Sequence, residues 1–139
     1  MADSINFISY NPTGFPSVKR KWIRDLNKLY NATFISIQEH QRKSKTIDKL
    51  FKDEFPDHSA YVIPGYKPSG QDAGRPSGGI AQLSSKYVNI KKNRIPIDHF
   101  RLQATLLELP NTNLLWINGY FPNDTQDNSF NENELLNVL

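Results

Sequence analysis

Not one cysteine occurs in the 139 residues, an absence that removes disulfides, thiolate metal centres and cysteine nucleophiles together. It fits a reducing compartment and argues against redox chemistry. A strong charge of either sign is also missing: 17 Lys and Arg against 14 Asp and Glu leave a net charge of +3. The pI of about 9.1 therefore signals only a mild pull toward polyanions such as nucleic acid. No apolar run approaches the roughly 18 residues that a membrane helix requires, and Met1-Ala2-Asp3-Ser4 lacks the basic start of a signal peptide. These absences lead to the expectation of an intracellular protein, nuclear or cytoplasmic, neither secreted nor embedded in a membrane. There is no internal repeat and no low-complexity tract.

What is present is enough apolar material for a core, 37% hydrophobic and 12% aromatic, at the length of one domain. Residues 5–10 read as a strand ending at Asn11, with the turn formers Pro12 and Gly14 beyond it. Ser17 is expected to cap a helix whose apolar stripe is Trp22, Leu26 and Leu29. Residues 32–38 form a buried strand that runs into Gln38-Glu39. A shorter helix begins at Ser44 or Thr46, turns Ile47, Leu50, Phe51 and Phe55 inward, and ends before Pro56. Strands are expected near 61–63, 79–84 and 88–90, and a hairpin pairs 102–109 with 114–121 about residues 110–113. Residues 64–79 hold three prolines and five glycines and read as a long surface loop. Ser129-Phe130-Asn131-Glu132 has the spacing of a capping box, so a last helix is expected there, with Leu135, Leu136, Val138 and Leu139 apolar up to the final residue.

The chemistry-bearing residues cluster at strand ends. Asn11 and Glu39 close two neighbouring strands, and ligands in open α/β sheets bind outside the carboxyl ends of strands. Each residue also has a plain structural reading: a turn starter for Asn11, a solvated strand-end carboxylate for Glu39, a core-edge ring for Tyr120. Lys19-Arg20-Lys21 and Lys91-Lys92-Asn93-Arg94 read either as solvated faces or as contacts to nucleic-acid phosphates.

Four segments together, in this order and at strand ends, carry a resemblance: Ser9-Tyr10-Asn11, Gln38-Glu39-His40, Gly74-Arg75-Pro76-Ser77-Gly78-Gly79-Ile80-Ala81 and Asn118-Gly119-Tyr120-Phe121-Pro122-Asn123. The sequence resembles the endonuclease/exonuclease/phosphatase superfamily, and within it the apurinic-type endonuclease domain at the amino terminus of LINE-type (non-LTR) retrotransposon polyproteins. Tyr10 stands where that family commonly has tryptophan. The resemblance implies the amino-terminal half of a four-layer, deoxyribonuclease-I-like α/β sandwich, two mixed sheets flanked by helices. It implies Mg²⁺, with Mn²⁺ as a substitute, and DNA as the partner of the complete domain. Glu39 then matches the metal ligand, Asn11 the residue that supports metal and phosphate, and Tyr120 a hydroxyl facing the phosphate, while Arg75 is a candidate phosphate contact. The family's Asp-x-Asn motif, its later aspartate and its carboxyl-terminal histidine find no match here. The expectation is thus one incomplete domain over residues 1–139 that needs its missing carboxyl-terminal half and is inactive alone. A phosphatase, an RNA-directed nuclease of the same superfamily, and a noncatalytic binding module are the alternatives, and oligomeric state is left open.

Overall fold

The computed structural model describes residues 4–43, 46–66, 76–97 and 99–121. Strand β1 (Phe7–Tyr10) is followed by helix α1 (Ser17–Tyr30), strand β2 (Phe34–Gln38), helix α2 (Ile47–Glu54), and strands β3 (His58–Ile63) and β4 (Ile80–Ser85). Strands β5 (Lys91–Ile95), β6 (Leu102–Glu108) and β7 (Asn113–Gly119) complete the order. The first four strands form one sheet in the order β1-β2-β4-β3, parallel between β1 and β2 and antiparallel elsewhere. The last three form an antiparallel meander in the order β5-β6-β7. The α1 crossover makes the β1–β2 pair parallel, and short connections make the β5–β6 and β6–β7 pairs antiparallel.

Side-chain alternation gives the first sheet two different faces. One face carries Ile8, Tyr10, Ile35, Ile37, Ala81 and Leu83, which pack with Phe15, Ile23, Ile47, Phe51 and Phe55 into the main apolar core. Removing a fully buried ring such as Phe51 from such a core typically costs about 3–5 kcal/mol. The opposite face meets the second sheet and is polar to an unusual degree, because Ser36, Gln82 and Ser84 are all buried there. Hydrogen bonds replace apolar contact across this layer. Trp116 Nε1 donates to Ser36 Oγ at 2.8 Å, Gln82 Nε2 to the Trp116 carbonyl at 2.9 Å, and Gln103 Nε2 to the Tyr61 carbonyl at 2.9 Å. A small apolar cluster of Phe34, Leu107 and Trp116 closes one end.

Several expectations change. Pro16, not a side-chain cap, precedes α1, and Ser17 is already its first helical residue. The helix buries Ile23, while Trp22 and Leu29 are exposed. Its inward face is set by ion pairs: Arg20 Nε lies 2.8 Å from Glu54 Oε1, and Arg24 pairs with Glu54 Oε2. The strand expected at 88–90 instead occupies Lys91–Ile95 and takes in the basic run. Lys19 is drawn inward too, donating to the carbonyls of Pro12 and Thr13, and Lys21 pairs with Asp25 at 2.7 Å. Thr46 precedes α2, and Ile47, Phe51 and Phe55 are buried as expected. Residues 67–75, with Arg75 among them, and the capping box at 129–132 lie outside the described residues. No helix among the described residues is long and apolar enough to cross a membrane.

Candidate functional site

The ends of β1, β2 and β7 converge on one margin of the sandwich. Gln38, the last residue of β2, donates from Nε2 to Ser9 Oγ of β1 at 3.1 Å and to Asn118 Oδ1 of β7 at 2.8 Å. Asn118 is buried and spends its Nδ2 on the carbonyls of Ile37 and Ala81, at 3.1 and 3.0 Å, and on Gln103 Oε1 at 2.8 Å. This amide ties the second sheet to two strands of the first. It is part of the motif that includes Tyr120, yet its role is to position the backbone and not to face solvent. Beside it opens a cleft of about 630 Å³ lined by Ser9, Asn11, Gln38, Asn118, Tyr120 and Phe121, with Ser36 and Trp116 at its floor.

Asn11 and Tyr120 therefore share a cleft, as their strand-end placement predicts. Asn11 begins a turn: its Oδ1 accepts from the Thr13 N–H at 3.0 Å and from the Thr13 hydroxyl at 3.3 Å. That is the Asx turn that Asn-Pro sequences favour, and it leaves Nδ2 to face a ligand. Tyr120 is held from behind by Arg101, whose carbonyl accepts its backbone N–H at 3.0 Å. The Arg101 guanidinium, itself buried, sits 5.1 Å from the Tyr120 ring centroid and 4.8 Å from that of Phe100. Nothing in the sequence marks Arg101, since a lone arginine ahead of an apolar strand carries no periodic signal.

Glu39 does not line this cleft. It lies between Gln38, which does, and His40, which lines a second cleft of about 550 Å³ bearing Lys19, Arg42 and Lys43. Its backbone sits in the left-handed region at φ 56°, and Gln41 repeats this at φ 55°. Such a conformation costs a non-glycine residue about 1–2 kcal/mol and persists only where neighbours enforce it. The enforcement is visible. Gly14 N–H donates to the Glu39 carbonyl at 2.6 Å, His40 N–H to the Gly79 carbonyl at 3.1 Å, and Gln41 N–H to the Gly78 carbonyl at 2.9 Å. The turn after β1, the end of β2 and the Gly78-Gly79 approach to β4 are thereby locked together around the Glu39 backbone.

His40 is the wedge in that lock. Its Nδ1 accepts the Arg42 N–H at 3.0 Å, so Nε2 carries the proton and donates to the Ile63 carbonyl at 3.0 Å. Burial disfavours the imidazolium and pushes the ring's pKa down to about 4, against a smaller opposing effect of the Ile63 carbonyl. With both nitrogens engaged, His40 is not a metal ligand in this arrangement. His58 is also buried, donates from Nε2 to the Ala32 carbonyl at 3.4 Å, and has its pKa lowered by burial. Among the described residues no three Asp, Glu or His side chains gather as a ligand cluster.

This fold is a mixed α/β sandwich of the deoxyribonuclease-I-like kind, two sheets with helices packed on one of them. Among solved structures, the chain is similar to the AP endonuclease LMAP from Leishmania major, with a TM-score of 0.61 at 16% sequence identity. The similarity takes in 84% of this chain and 40% of that one, so the chain spans well under half the length of that protein. No family model matches the sequence, and no curated protein matches it.

Proposed function

We propose that this chain is the amino-terminal part of a divalent-metal-dependent DNA endonuclease of the LINE-type retrotransposon kind, inactive without its carboxyl-terminal half. The observation that carries the reading is that Asn11 and Tyr120 line one cleft at the carboxyl ends of β1 and β7, with the strained Glu39 segment following Gln38 of that cleft, in a sandwich similar to that of an AP endonuclease. Glu39 is the carboxylate that would hold Mg²⁺ or Mn²⁺. A bound divalent cation would polarise a phosphodiester and offset charge on its oxygens.

The chain's own residues have separate tasks in this scheme. Asn11, with Oδ1 held by Thr13, presents Nδ2 to a phosphate oxygen. Tyr120 donates its hydroxyl to the same phosphate as negative charge grows, an interaction that is strongest in the transition state. Arg101 fixes the Tyr120 ring and backbone, so it acts as a positioning residue. Arg75 remains a proposed phosphate contact on the sequence argument alone. The missing general base and nucleophile-orienting groups belong, in this reading, to segments that this sequence does not contain.

The test is nicking of supercoiled plasmid by the longest polypeptide that contains this chain, with and without chelator. Glu39→Gln is expected to abolish nicking and Tyr120→Phe to lower it by about 10²-fold or more, the usual effect of losing one transition-state donor. Chelator-resistant nicking, or nicking unchanged in Glu39→Gln, overturns the proposal. Preference for RNA or inositol phosphates over plasmid DNA would reassign the substrate.

A further inference from the structure

At the margin of the sandwich away from Asn11 and Tyr120, the two sheets part between their edge strands β3 and β5. A cavity of about 150 Å³ opens there, lined by Ser59, Tyr61, Ser84, Lys92, Arg94 and Thr105. Its cations are placed by register. Lys92 pairs with Leu107 and Arg94 with Thr105, and Leu107 and Thr105 are buried on the face that meets the first sheet. Alternation therefore puts Lys92 and Arg94 on the side toward the first sheet, Lys92 half-buried and Arg94 exposed at the rim, where an edge strand of ordinary pattern would carry apolar residues. Lys91, one residue away, belongs to the other face and pairs with Glu108 at 3.2 Å.

Arg94 is already oriented. Its guanidinium stacks 4.4 Å from the Tyr61 ring centroid, and one NH2 donates to the Ala60 carbonyl at 3.0 Å. On the floor, Thr105 Oγ1 donates to Gln82 Oε1 at 2.7 Å, which fixes that hydroxyl. No ion pair or hydrogen bond engages the Lys92 ammonium, and no hydrogen bond engages the Ser59 or Ser84 hydroxyl, among the described residues. No carboxylate lines the cavity. Two positive charges without a carboxylate in the lining, with the Ser59 and Ser84 hydroxyls opposite and Gln82 and Trp116 completing the wall, form a cationic concavity, and charge-assisted bonds from such groups select oxyanions. The volume equals about five waters of liquid. It has room for one tetrahedral oxyanion.

We propose that this cavity binds a single phosphate-sized oxyanion, held by Lys92 and Arg94 from β5 and by the Ser59 and Ser84 hydroxyls from β3 and β4. The proposal is independent of the nuclease reading. Free inorganic phosphate and the terminal phosphate of a nucleic acid share the required chemistry. The competing explanation is that inward charges on an edge strand merely prevent sheet-to-sheet association.

Titration of the ¹⁵N-labelled full chain with inorganic phosphate tests this. Saturable shifts are expected at the amides of Ser59, Ser84, Lys92 and Arg94, retained in Lys92→Arg and weakened at least tenfold in Lys92→Gln, with the dispersion of each variant's spectrum reporting its fold. A 5′-phosphorylated trinucleotide that binds tighter than phosphate, while its unphosphorylated form does not, identifies a nucleic-acid end as the source. Equal affinity identifies the free anion. Absence of saturable shifts at these residues, or binding unchanged in a folded Lys92→Gln, overturns the proposal and leaves the edge-protecting role.

Discussion

The imidazole of His40 fills the space that a side chain on Gly79 would occupy: a Cβ built there lies 2.6 Å from Nδ1 and 2.8 Å from Nε2. Gly79 also has φ +85°, a conformation that L side chains rarely adopt. The Gly78-Gly79 pair that precedes β4 is therefore required by the segment that carries Glu39. Gly79→Ala is expected to destabilise the chain by about 2–5 kcal/mol, combining backbone strain with overpacking. Urea unfolding measures this. In the His40→Ala, Gly79→Ala double variant the loss should fall short of the sum of the singles by about 1 kcal/mol or more, because the clash is removed.

Acid should weaken the same lock. The folded-state pKa of His40 is lowered to about 4 from an ordinary 6.5. A group with a depressed folded pKa binds its proton more readily in the unfolded chain. His40 thus contributes fully above pH 6.5 and progressively less as the pH falls toward 4. Each pH unit in that window is worth about 1.4 kcal/mol, so the full loss is on the order of 3 kcal/mol. His58, lowered in the same direction by burial, adds to the decline. Denaturation midpoints between pH 7 and pH 4 check this, and His40→Gln should flatten the slope.

Asn118 joins the two sheets through three hydrogen bonds, with Gln38, Ile37 and Ala81, and makes a fourth to Gln103 within its own sheet. Asn118→Ala leaves Gln103 Oε1 without its donor in the interior and removes the bonds to the Ile37 and Ala81 carbonyls. Unsatisfied buried polar groups of this kind cost about 1–3 kcal/mol each, so a loss of about 2–4 kcal/mol is expected in the same unfolding experiment. A change below 0.5 kcal/mol, the range of ordinary surface substitutions, would show that the latch does not couple the layers.

Strands β2, β4, β6 and β7 are legible in the sequence because their residues alternate or run apolar over lengths that helices rarely match. The helix α2 is legible from Ile47, Phe51 and Phe55. The face of α1 is not, because Arg20 and Arg24 are drawn inward by Glu54, a partner 30 or more residues away that no periodicity reveals. Strand β5 is displaced from its expected position for a related reason, since its inward residues are cations. At the candidate site, the strand-end placement of Asn11, Glu39 and Tyr120 follows from the sequence, and so does the turn that Asn11 starts. The Gln38–Asn118 contact joins residues 80 apart, and the Arg101 support of Tyr120 spans two strands, so neither leaves a local trace.

The central claim is that the strained segment around Glu39 presents a site for a hard divalent cation beside Asn11. Titration of the ¹⁵N-labelled chain with Mn²⁺, followed by paramagnetic broadening, tests it most directly. The expected result is early broadening of the amides of Gln38, Glu39, His40 and Asn11, reversed by excess Mg²⁺ and absent in Glu39→Gln. Broadening centred elsewhere, or unchanged in a folded Glu39→Gln, would contradict the account.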